Sequence, residues 1–106
     1  MEYEFRPALL SPQVKYTLEG NTLTCFDPAA SFDLEEVTQF AVIRHTLRDS
    51  VMWRIDLHVG ETLFRASYNG NRQWSNDPEA LSFIALCSNV ARCIGEINPE
   101  FEVIWG

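Results

Sequence analysis

Residues 50–68, SVMWRIDLHVGETLFRASY, leave the chain little freedom. Val51, Trp53, Ile55, Leu57 and Val59 alternate with Met52, Arg54, Asp56 and His58. Successive side chains of a strand point to opposite faces, so one face is apolar throughout. Gly60-Glu61 then suits a two-residue type II′ turn, which wants glycine first. That turn sets Leu57 opposite Phe64, Ile55 opposite Ala66 and Trp53 opposite Tyr68 on the core face. The outer face receives Asp56 opposite Arg65 and Arg54 opposite Ser67. A slip of one residue would turn every apolar side chain outward, so turn and pattern predict the same hairpin.

VKYTLEGNTLTCF predicts a second hairpin, turning at Gly20-Asn21, where positive φ is needed. It pairs Leu18 with Leu23 and Tyr16 with Cys25 on one face, Thr17 with Thr24 and Glu19 with Thr22 on the other. DPAAS reads as a break, followed by a short strand at residues 32–34 and a longer one at Val37–Leu47. In the longer strand Val37, Ala41, Ile43 and Leu47 share one parity, while Phe40 and Val42 share the other. That predicts a bulge, or burial on both faces.

The loop YNGNRQWSNDPEAL carries one large aromatic, Trp74, beside Arg72. It ends with Asp77 as a helix cap, Pro78 in the first turn and Glu79 at the positive end of the dipole. The predicted helix runs over Pro78–Ile97 and stops before Pro99. Phe83, Cys87, Val90, Ile94 and Ile97, flanked by Ala80, Leu86 and Ala91, form its apolar stripe, with Ser88, Arg92 and Glu96 opposite. Cys87 reads as core and Cys93 as the edge of the stripe. FEVIWG predicts a terminal strand or a packed tail.

A length of 106 residues predicts one domain: an arm at 1–12 with a short edge strand at 3–6, a sheet and helix over 13–97, and a tail at 98–106. The fold class is α+β. Six or seven antiparallel strands form a sheet or partly open barrel, capped by one C-terminal helix at about 78–97, because a single helical stripe must be buried against a sheet. The stretches YTLEGNTLTCF, SFDLEEVTQFAVIR, WRIDLHVGETLFRASY and PEALSFIALCSNVARCIGEI resemble, in their order, the pleckstrin-homology-like (PH-like) superfold. The resemblance implies a binding domain, as in members that take an extended peptide along a sheet edge near the helix. It departs in the tail after the helix. It departs also in EGNT, which lacks the Lys and Arg that phosphoinositide-binding members carry there.

Net charge is −7, with one lysine, so the field repels nucleic acid and anionic membrane, and neither is an expected partner. No run approaches 18 uninterrupted apolar residues, and MEYEFRPALL is acidic where a signal peptide is basic, so the expected location is cytoplasmic. Cys25, Cys87 and Cys93 are odd in number and read as reduced thiols. Cys87 and Cys93 are about 9 Å and about 240° apart on a helix and cannot bridge. Phosphate-loop, G-x-S-x-G and H-E-x-x-H motifs are absent, and no metal or cofactor is expected. Cys25 reads as a small buried hydrophobe rather than a nucleophile.

Without a catalytic constellation, the expectation is a non-catalytic protein- or peptide-binding module rather than an enzyme. Its candidate partner-binding residues are Trp74, Arg72, Arg54, Arg65 and His58, a local exception to the acidic field. For Trp74 the other role is a lid over the helix start or a barrel mouth, and for His58 a solvated surface position. Two alternatives stand beside the module. One is a homo-oligomeric structural subunit using FEVIWG with Leu81 and Ala85. The other is a small-ligand binder with a sheet–helix cavity lined by Trp53, Tyr68 and Cys25.

Overall fold

Both expected reversals form where glycine supplies the backbone: Gly20 has φ 59° and Gly60 φ 60°. No non-glycine residue among those described has positive φ, so Asn21 and Glu61 complete the turns on the ordinary side. The computed structural model describes residues 1–7, 12–26, 29–47, 50–71 and 78–105. The loop with Arg72, Trp74 and the expected cap Asp77 lies outside the described residues.

The chain is α+β. Its elements are β1 (Glu2–Phe5), β2 (Val14–Glu19), β3 (Thr22–Phe26), β4 (Ala29–Asp33), a 3₁₀ turn (Leu34–Glu36), β5 (Val37–Leu47), β6 (Ser50–Val59), β7 (Thr62–Asn71), α1 (Pro78–Ile97) and β8 (Val103–Trp105). Among the described residues eight strands thus stand where six or seven were expected, and they form two sheets, ordered β1-β2-β3-β4 and β7-β6-β5-β8. The registers of both hairpins are those the turns impose: Tyr16 faces Cys25, Leu18 faces Leu23, Trp53 faces Tyr68 and Leu57 faces Phe64.

Three differences have local causes. Ala29 to Ser31 do not break the chain; they begin β4, because pairing with β3 (Cys25 opposite Ala30) overrides the weak strand propensity of alanine. Leu34 is not in the strand. Asp33 caps a 3₁₀ turn there, its carboxylate accepting the Glu35 N–H at 2.9 Å, and the Leu34 N–H donates to the Asn21 carbonyl at 2.8 Å. In β5 the pairing with β6 shifts between Val37 and Gln39, so a bulge reconciles the two parities: Val37, Phe40 and Val42 all reach the core.

α1 packs on β1, the 3₁₀ turn and β7. It covers the outer edge of β1 with side chains. The Glu4 N–H donates to Ser82 Oγ at 2.9 Å, the Arg6 N–H to Glu79 Oε1 at 2.7 Å, and Asn89 Nδ2 to the Tyr3 hydroxyl at 2.7 Å. An edge that would invite a foreign strand is thereby closed. Arg6 turns the corner between the sheets, its carbonyl accepting the Asn69 N–H at 3.2 Å. Phe5 anchors the core beneath, stacked on Tyr16 at 4.8 Å and edge-on to Phe83 at 5.1 Å.

This seat rotates the buried helix face from the expected stripe. Ala80, Phe83, Leu86, Val90, Cys93 and Ile94 are buried, whereas Ile97 is exposed and Cys87 only half-buried. Cys93 goes inward because the helix crosses the 20–21 turn, with its Sγ 3.8 Å from the Gly20 carbonyl. α1 is also long and apolar enough to cross a membrane, with mean hydropathy 1.4 and about a third of that window buried (33%). Its uncovered side shows Leu81 and Ile84.

Candidate functional site: a cleft between the sheets and a groove beside the helix

Arg54 and Arg65 were expected to face a partner. Both converge on Asp56, with Nε–Oδ1 distances of 2.9 and 3.2 Å. Asp56 is only 7% exposed although it sits on the outer face of its sheet. Ala41 lies opposite it on β5, and the guanidinium groups reach it from the same strand and from β7. Both approaches are ion-pair contacts rather than aligned hydrogen bonds. His58 lies on the same face, half-buried, opposite Leu63 and Gln39.

The expected cavity of Trp53, Tyr68 and Cys25 is not one cavity. Tyr68 is buried in the core, and the other two line separate depressions. The larger depression, about 360 Å³, opens where β7 diverges from the first sheet. Tyr16, Cys25, Ala30 and Phe32 supply its floor; Phe64, Arg65 and Ser67 form the β7 side. Phe32 and Phe64 meet at 4.8 Å across its end. Burial pushes the Tyr16 phenol well above its usual range, so it sits on the floor as a neutral hydroxyl.

The backbone of β7 also borders the cleft. Asn69 donates its N–H away from β6, to Arg6. In an antiparallel pair the direction alternates, so Leu63, Arg65 and Ser67 also aim N–H and C=O outward. The two-residue turn gives the same phase, since Val59 and Thr62 close it as a hydrogen-bonded pair. No strand pairs with this edge among the described residues. Sequence reasoning missed this cleft because its walls come from four strands of two sheets. The signal that was present is the phase of the alternation, fixed by Gly60.

The smaller depression, about 190 Å³, lies between α1 and the second sheet, lined by Val42, Trp53, Phe83, Ile84, Cys87, Ser88 and Trp105. The Arg44 guanidinium sits 5.7 Å from the Trp53 ring. Burial pushes the Cys87 thiol up to about 12, which makes it a packing group and not a nucleophile at neutral pH. Among the described residues no three His, Cys, Asp or Glu side chains gather as metal ligands.

No family model matches the chain, and no curated protein matches it.

Proposed function

We propose that the protein is a non-catalytic binding module that takes an extended peptide along the outer edge of β7, with alternate side chains laid in the cleft. The observation that carries this is the conjunction of outward-facing backbone groups at Leu63, Arg65 and Ser67 with an apolar trough alongside them. Main-chain hydrogen bonds supply affinity in such a site and the trough supplies selectivity. The edge near the helix expected from sequence is thus β7, whose far end is tied through Arg6 to Glu79 of α1. Four strands, then three, then a helix also supports the PH-like assignment as the finer description of the fold. A charge of −7 favours cationic flanks on the peptide, and a cytoplasmic setting suits the three thiols.

Amide hydrogen exchange tests this on the free protein. The amides of Leu63, Arg65 and Ser67 are expected to exchange freely while those of Phe64 and Ala66 are protected. Peptides selected from a displayed library of unstructured decamers are expected to protect the first three. Ala30→Trp, which fills the cleft from half-exposed β4, is expected to abolish their binding with the circular dichroism spectrum unchanged. Equal protection of residues 63 to 67 before any peptide is added would end the reading.

A further inference from the structure

The second edge of the molecule carries a different message. β8 pairs with β5 over only three positions: Phe40 with Val103, Ala41 with Ile104 and Val42 with Trp105. The phase of the sheet sends the backbone groups of Phe40 and Val42 toward this edge. In a parallel pair Ile104 therefore donates to the Phe40 carbonyl and accepts from the Val42 N–H. Side-chain burial is uneven: Ile104 is 45% and Trp105 74% exposed, whereas Phe101 and Val103 are half-buried against the core. Trp105 lies beside the 190 Å³ groove and leaves it unfilled. β5 itself continues to Leu47, so Arg44 and Thr46 present backbone groups along the same edge past the end of β8. At that point the exposed Arg44 guanidinium adds a positive charge in an acidic chain.

We propose that residues 99–105 are a detachable strap. Docked, they occupy the β5 edge with the chain's own residues. Released, they expose an edge and an apolar groove for an extended segment of another chain. That segment has apolar residues in alternation, as the strap does at Phe101, Val103 and Trp105, and a carboxylate opposite Arg44. The strap holds by three backbone pairs, by the half-buried Phe101 and Val103, and by proximity. Tethering supplies an effective concentration on the order of mM, and an incoming segment must exceed it by pairing further along β5. A segment spanning residues 40–46 does so. This site is separate from the β7 cleft, and either can fail without the other.

The probe is a synthetic fluorescent peptide of the strap itself, NPEFEVIWG, added to the 106-residue protein. Ile104→Pro removes the donor that holds the strap. If the strap is docked about nine-tenths of the time, the probe binds Ile104→Pro about tenfold tighter than wild type. One aspartate added after the final glycine falls opposite Arg44 by register, and is expected to tighten binding in a manner lost in Arg44→Ala. Equal affinity of wild type and Ile104→Pro, or no binding to either, overturns the proposal. Hydrogen exchange on the wild type provides an arm independent of the variant's folding. The amides of Val42 and Ile104 are expected to exchange together and far faster than that of Ile43. Protection of Ile104 equal to that of Ile43 overturns the strap equally.

Discussion

Asp56→Ala separates a structural from a partner-binding role for the outer arginines. The substitution removes one carboxylate that two guanidinium groups approach at 2.9 and 3.2 Å. A fully buried pair broken on one side costs about 3–5 kcal/mol, and an exposed one about 0.2–1 kcal/mol. Here the carboxylate is buried, but the arginine side chains are 24% and 54% exposed and regain water once it is gone. Neither contact is an aligned hydrogen bond, which lowers the value again. The expected loss is therefore about 2 kcal/mol, which for a domain near 100 residues lowers Tm by roughly 8–16 °C. Arg54→Ala is expected to cost more than Arg65→Ala, since Arg54 is closer and better covered. Urea unfolding gives all three, with the m-value as a check that the unfolded state is unchanged. Asp56→Ala within 0.5 kcal/mol of wild type, by the uncertainty expected of a surface change, would refute the argument.

Two further perturbations probe the remaining structure. Glu79→Ala strips the acceptor from the Arg6 N–H and the partner from the Arg6 guanidinium, so about 1–3 kcal/mol is expected in urea unfolding, with β1 amides losing protection first. Cys87 is raised by burial to about 12, and Tyr16 is raised by burial as well. Groups held neutral in the fold give stability that is whole below the unfolded pKa and lost as pH climbs toward the folded one. Stability is thus expected to be flat at neutral pH and to fall above about pH 9, and Cys87→Val is expected to flatten the part of that fall below about pH 12 in denaturant titrations at stepped pH.

The described residues form two separate depressions of different kinds. The cleft beside β7 is roomy and bordered by backbone donors, while the groove beside α1 is small and covered in part by the chain's own tail. Arg54 and Arg65, two of the arginines expected to bind a partner, both contact Asp56 in the free chain, with the Arg65 side chain still 54% exposed.

By itself the sequence determined whatever depends on neighbours along the chain. Gly20 and Gly60 set two registers to the residue, Pro78 and Pro99 bounded the helix, and the broken alternation of β5 narrowed it to a bulge or burial on both faces. Tertiary structure alone decided how those pieces meet. The division into two sheets rests on the corner at Arg6 and Asn69, the rotation of the helix face on the 20–21 turn beneath Cys93, and the place of the tail on a vacant edge of β5. Alternation tells a side chain which face of its own strand it occupies. It carries no information about which other strand, helix or tail will stand opposite that face, because that choice is made by burial summed over the whole chain.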